Sequence, residues 1–217
     1  MTEATALVDG LALALLAGAL ASVVIRDLVA GVWLLVFQSA VLALIAATMA
    51  VATGELHMWL VVVLTVIVRA TIAPALLFGI LRRVELRREM RPLLPTRLTA
   101  IGALGLIVLA FVAAGRLALI EGFPARDGLP VALSLTLLGL LLMCTRRKAI
   151  SQVIGLITIE NGIFLAGLSA TLGLPLFVEI GVFFDLLVAL TVLAVFTFRI
   201  NEHFETVNTD ALRELRG

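Results

Sequence analysis

Residues 28–53, LVAGVWLLVFQSAVLALIAATMAVAT, hold 26 consecutive positions without a charged side chain. About 20 apolar residues wound as a helix cross a hydrocarbon core, so this run is long enough to span a bilayer with some tilt. A strand is excluded in that setting, because an open sheet edge would leave N–H and C=O groups unpaired in lipid. The strict alternation of a barrel strand is also absent. The run therefore reads as a transmembrane helix, and it sets the solvent for the rest of the chain.

Working outward from it, six further apolar runs have similar length: Leu7 to Ile25, His57 to Leu81, Leu98 to Ile120, Gly128 to Thr145, Ala149 to Leu172 and Leu174 to Ile200. The expectation is an all-α, multi-pass membrane protein with seven transmembrane helices. Composition agrees, since 14% charged residues against 62% hydrophobic is far from the quarter charged of a soluble domain. The net charge of +1 points to no nucleic-acid partner. Cys144 is the single cysteine, which rules out an intrachain disulfide and gives it an expected role in packing. The first ten residues contain Glu3 and Asp9 but no Lys or Arg, so the first run lacks the basic start of a cleavable signal and reads as a retained helix.

The links alternate in charge. Arg26 lies in the first, Arg82, Arg83, Arg87, Arg88, Arg91 and Arg97 in the third, Arg146, Arg147 and Lys148 in the fifth, and Arg199, Arg213 and Arg216 at the C-terminal end. The other links hold only Arg116 and Arg126 among basic residues, beside Glu55, Glu121 and Asp127. The positive-inside rule then places the N-terminus outside and the C-terminus in the cytoplasm of a cell-membrane protein. The chain divides into a three-helix unit with its basic loop (1–97), a connecting helix (98–127), a second three-helix unit (128–200) and a tail (201–217). The arginine-rich third link reads as a topology-setting loop, or as a short interfacial helix stopped by Pro92 and Pro95.

Three ionisable residues fall near mid-membrane, where each costs at least about 2.5–3.5 kcal/mol on insertion scales and so asks for a function and a partner. At 1.5 Å per residue, Glu160 lies roughly 16 Å into the sixth run, Asp185 roughly 16 Å into the seventh and Arg69 roughly 18 Å into the third. Glu179 is shallower, roughly 7 Å from the outer end of the seventh. In a partly hydrated bundle, burial and a nearby guanidinium pull a carboxyl's proton affinity in opposite directions, which suits Glu160 and Asp185 to proton exchange. Arg69 stays protonated, so it would hold a carboxylate ionised or set the local field. The alternative is that Arg69 pairs with Asp185 or Glu160 merely to hold helices together. Pro74 removes a backbone donor and frees the carbonyl of Ala70, predicting a kink just past Arg69 that admits water.

Gln38, Ser39, Thr48, Thr65, Ser151, Gln152 and Asn161 read as hydrogen-bonding glue between helices. His57 and His203 lie at membrane ends. No group of side chains has metal-ligand spacing, no glycine loop precedes a phosphate-binding helix, and no nucleophile stands beside a base. The chain is expected to be no enzyme by itself and to hold neither metal nor cofactor. Laying the first three helices over the last three pairs Arg26-Asp27 with Lys148-Ala149 and Gln38-Ser39 with Glu160-Asn161 at one offset, and a six-residue shortening puts Arg69 on Asp185. That pattern suggests a parallel repeat.

The stretch Arg146-Arg147-Lys148-Ala149-Ile150-Ser151-Gln152-Val153-Ile154-Gly155-Leu156 is followed by Ile159-Glu160-Asn161-Gly162, by Leu174-Pro175-Leu176-Phe177-Val178-Glu179-Ile180-Gly181 and by Asp185. It resembles component E of the hydrogenase 4 family, a membrane subunit of group 4 nickel-iron hydrogenases and related complexes. The C-terminal part of that family is similar to the K subunit of respiratory complex I and to the C subunit of multisubunit sodium/proton antiporters. The resemblance implies a non-catalytic subunit of a hydrogenase-like oxidoreductase complex, packed among larger antiporter-like membrane subunits and peripheral hydrogenase-like subunits. Glu160 and Asp185 would join a proton or cation path coupled to electron transfer. Two departures stand out: Glu160 is displaced by about one helical turn from the complex I pattern, and Arg69 stands where the family tends to have Lys. Competing expectations are a purely architectural subunit, an accessory subunit of an antiporter, and a free-standing transporter, whose broken helices this chain lacks apart from Pro74.

Overall fold

The computed structural model describes residues 2–54, 56–84, 93–117 and 128–171. Among them the chain is all-helical: α1 (Thr2–Val24), α2 (Leu28–Thr53), α3 (Leu56–Leu64), a π-helical segment (Thr65–Ile72), α4 (Ala73–Val84), α5 (Thr96–Leu117), α6 (Gly128–Thr145) and α7 (Ala149–Thr171). These elements contain six spans long and apolar enough to cross a membrane, with α3, the π segment and α4 forming one of them, Met58–Gly79. The predicted run Leu174 to Ile200, with Glu179 and Asp185, lies outside the described residues. Large apolar side chains face outward along the bundle, including Trp33, Ile101 and Val108 at 60%, 67% and 63% exposure. Side chains of that size are left on the surface when the surrounding solvent is itself apolar.

The bounds of α2 follow from its ends. Asp27 caps its start, its Oδ1 accepting from Val29 N at 2.8 Å and Ala30 N at 3.0 Å. Gly54 closes its end with a left-handed φ of 69°, which glycine adopts without a Cβ penalty. Between them the buried positions Leu28, Gly31, Val32, Leu35, Gln38, Ser39, Leu42, Ile45 and Ala46 form one helical stripe, with Gln38 and Ser39 at its centre.

At one end of the bundle several basic residues tie helix ends together. Arg146 is buried and its Nη2 donates to the carbonyls of Val23 (2.6 Å) and Ile25 (3.0 Å), satisfying two acceptors at the C-terminus of α1. Arg26 Nε donates to Thr96 Oγ1 at 2.8 Å, and Leu93 N donates to Thr145 O at 2.9 Å. The ends of α1 and α6 and the starts of α2, α5 and α7 therefore meet there, so the basic first and fifth links lie side by side.

Helices α6 and α7 pack backbone against backbone. A Cβ built on Gly155 would lie 2.8 Å from Gly139 O, and one on Gly162 would lie 2.7 Å from Ala132 O. Lipid offers no hydrophobic drive to helix pairing, so close approach through small residues supplies the contact. Two expectations are corrected. Cys144 is exposed rather than packed in the core, because it lies on the side of α6 facing away from this seam. The disturbance expected at Pro74 falls before the proline, as the π-helical winding of Thr65–Ile72, and it includes Arg69.

That winding has a local cause. The Pro74 ring clashes with the carbonyl of residue 70 in an α-helix. Here Ala73 N instead donates to Val68 O and Thr71 Oγ1 to Val66 O, each reaching five residues back. The buried residues Val61, Thr65, Arg69, Leu77 and Leu81 are spaced in fours or a multiple of four. Such a stripe drifts by about 40° per step around an α-helix. The wider π turns remove part of that drift and keep Arg69 facing inward.

Replacing Gly155 with Val is expected to destabilise the bundle by at least about 1–3 kcal/mol, since the new methyls meet backbone that cannot yield. Gly102→Ala, where a Cβ meets nothing within 4 Å, should be neutral or slightly stabilising. Denaturant unfolding in detergent micelles compares the two.

Candidate functional site: a buried ion pair at mid-bundle

Arg69 stands at the midpoint of the Met58–Gly79 span and Glu160 at the midpoint of α7. The structure brings them together: Arg69 Nη2 donates to Glu160 Oε1 at 3.0 Å, with side-chain exposures of 4% and 6%. The second prong of the guanidinium, Nη1, donates to Asn161 Oδ1 at 3.2 Å. The plane is also held by an aromatic face, Cζ lying 4.4 Å from the ring centroid of Phe164. Glu160 and Phe164 are four residues apart and share a face of α7, with Asn161 next to them, so a single helical turn supplies all three contacts. Only a planar, forked cation engages two acceptors and an aromatic face at once.

From Asn161 the hydrogen bonds continue in one direction. Asn161 Nδ2 donates to Gln38 Oε1 at 3.3 Å, Gln38 Nε2 donates to Ser22 Oγ at 3.3 Å, and Ser22 Oγ donates to Gly18 O at 3.0 Å. The cation at the head orients each dipole after it, and such chains strengthen cooperatively in a low-dielectric interior. Four helical elements are joined: the π segment, α7, α2 and α1. Gln38, Asn161 and Ser22 are all buried.

The chemistry of this chain is restrictive. Neither the guanidinium nor the two amides change protonation near neutral pH, whereas a carboxyl can. Glu160 is thus the one acidic group in this network of described residues. The Oε1 of Glu160 and the Oδ1 of Asn161, oxygens that would suit a hard metal ion, both accept from Arg69. Among the described residues no group of His, Cys, Asp and Glu could hold a metal ion.

Of the residues predicted for the site, the structure brings two together. Arg69 and Glu160 meet directly, while Asp185 and Glu179 lie outside the described residues. Gln38 and Asn161 serve as the expected interhelical glue. Thr48 and Thr65 bond instead to carbonyls of their own helices, those of Leu44 and Val61, and Gln152 Nε2 donates to Arg146 O. Ser39 Oγ is buried with no hydrogen-bond partner among the described residues. Sequence reasoning missed Ser22 and Phe164. The signal for Phe164 was its position one turn after Glu160; a lone serine in an apolar run, as at Ser22, carries none.

The fold and the site define a multi-pass helical membrane protein built around a charged pair at mid-bundle. The chain belongs to the same family as the uncharacterized protein Rv0085 of Mycobacterium tuberculosis (strain ATCC 25618 / H37Rv), with 34% identity over 201 residues covering 91% of each chain. No family model matches the chain, and no solved structure matches it.

Arg69→Met strands the Glu160 carboxylate in an apolar bundle and is expected to cost about 3–5 kcal/mol, the usual penalty for breaking a buried pair. The double variant Arg69→Met/Glu160→Leu should recover most of that loss, because neither charge then remains. Unfolding midpoints of the purified protein in detergent for wild type, both single variants and the double variant measure the coupling.

Proposed function

We propose that this protein is a non-catalytic membrane subunit of a group 4 hydrogenase-like or complex I-like respiratory complex. In this reading it crosses the membrane seven times with its C-terminus in the cytoplasm, and its mid-membrane charges belong to a proton path coupled to electron transfer elsewhere. The observation that carries the proposal is the Arg69–Glu160 pair, placed at the midpoints of two spans and buried from solvent. Charges at that depth are costly and in membrane proteins commonly mark ion pathways. Arg69 acts as a fixed counter-charge, and its hold on Glu160 and Asn161 favours a proton over a metal cation as the coupled ion. Asp185 and Glu179 extend the path in the seventh span on the strength of the resemblance. The larger antiporter-like subunits and the peripheral electron-transfer subunits are the partners it requires.

A second reading has its own support. The chain of hydrogen bonds from Arg69 to Gly18 O ties four helical elements, which is what a purely architectural subunit would need. Neutralisation separates the two. Glu160→Gln and Asp185→Asn are each expected to abolish the proton gradient driven by electron transfer in inverted membrane vesicles, while the subunit still co-purifies with its partners. Undiminished pumping in the double variant would leave the architectural role, and purification of the wild-type chain as a homo-oligomer without other proteins would remove the complex altogether.

A further inference from the structure

We infer that the cleft at the basic end of the bundle is a water-binding mouth through which the buried network meets solvent. The cleft, an open-mouthed space of about 270 Å³ that includes adjoining solvent, lies where the end of α1 meets the starts of α2 and α7 and the end of α6. Ser22, Arg26, Asp27, Arg146 and Ser151 are its polar lining. Ser22 is at once a wall of this cleft and a member of the hydrogen-bond chain that reaches Arg69 and Glu160. Its oxygen accepts from Gln38 and donates to Gly18 O, and a hydroxyl with two lone pairs keeps room for one more donor, such as water.

Among the described residues, the opposite direction is more apolar along α2 and α7. Beyond Gln38 the buried face of α2 continues as Leu42, Ile45, Ala46 and Ala50, and beyond Asn161 that of α7 continues as Leu165 and Leu168. These six belong to one apolar core, which offers water no hydrogen-bond partner. Two guanidinium groups against one carboxylate make the mouth net positive, which disfavours inorganic cations while admitting neutral water. The pair at mid-bundle is thus connected by polar groups to one face of the membrane. Access stands on this geometry; only the use of that water in proton exchange rests on the function proposed above.

Thiol accessibility tests it in the full chain in its own membrane. In a Cys144→Ala background, which removes the exposed native thiol, single cysteines are placed as Ser22→Cys, Ser151→Cys and Ala46→Cys. Each is exposed to a small anionic, membrane-impermeant methanethiosulfonate in inverted and in right-side-out vesicles. Because the thiolate is the reacting form, labelling requires contact with water. Ser22→Cys and Ser151→Cys are expected to react about tenfold or more faster from the basic side than from the other. Ala46→Cys should resist from both. The inference is overturned if both cleft cysteines are protected from the basic side, or if either reacts as fast from the opposite face. Ser151→Cys keeps the test decisive if Ser22→Cys fails to accumulate. The readout is independent of pumping, so loss of the translocation role would leave the mouth in place.

Discussion

A guanidinium in the middle of an apolar bundle imposes the main constraint on this structure. An uncompensated charge in such surroundings costs several kcal/mol, and Arg69 cannot escape by losing its proton. Three groups among the described residues answer that demand: a carboxylate on one prong, an amide oxygen on the other and an aromatic face against the plane. The amides of Asn161 and Gln38 then have little choice of orientation, since each oxygen must face a donor that points away from the cation. A sequence of polar residues on separate helices becomes a single network because one of its members is permanently charged.

The helix that meets Arg69 is positioned by packing rather than by charge. Gly139, Gly155 and Gly162 let α6 and α7 approach until backbone touches backbone, and this fixes the rotation of α7 that presents Glu160, Asn161 and Phe164 to the arginine. On the other side, Gly31 of α2 lies where a Cβ would be 3.0 Å from Ile154 Cδ1, so α2 and α7 also run close together. Close α2–α7 packing is what allows Gln38 to reach Asn161. The two helices start from the same end, and Gln38 and Asn161 meet between them.

Much of this was legible in the sequence because a bilayer leaves a chain few options. The runs Leu28 to Thr53 and Gly128 to Thr145 coincide with α2 and α7's neighbour α6 to the residue, since a cap, a glycine or a cluster of basic residues marks their ends. Arg69 and Glu160 stood out as charges in apolar text. Their pairing did not, because depth along two helices says nothing of how each is rotated, and Asp185 was an equal partner on depth alone. The π winding was hidden for a related reason: Pro74 announces that the ladder is broken, but whether the chain kinks or widens depends on what the neighbouring helices require of Arg69. Cys144 was misread because apolar surroundings in sequence do not distinguish a core position from one facing lipid.

The segment Thr65–Ile72 has a bearing on how the chain tolerates changes of length. Each residue of an α-helix advances the winding by about 100°, so gaining or losing one within this stretch would swing the preceding half of the span against the half that follows. Val61 and Met58, which sit in one apolar core, and Leu77 and Leu81, which sit in another, would no longer be able to face inward together. The extra-wide turns thus act as a phase adjustment between two halves of a single membrane crossing, and the arginine sits at the join.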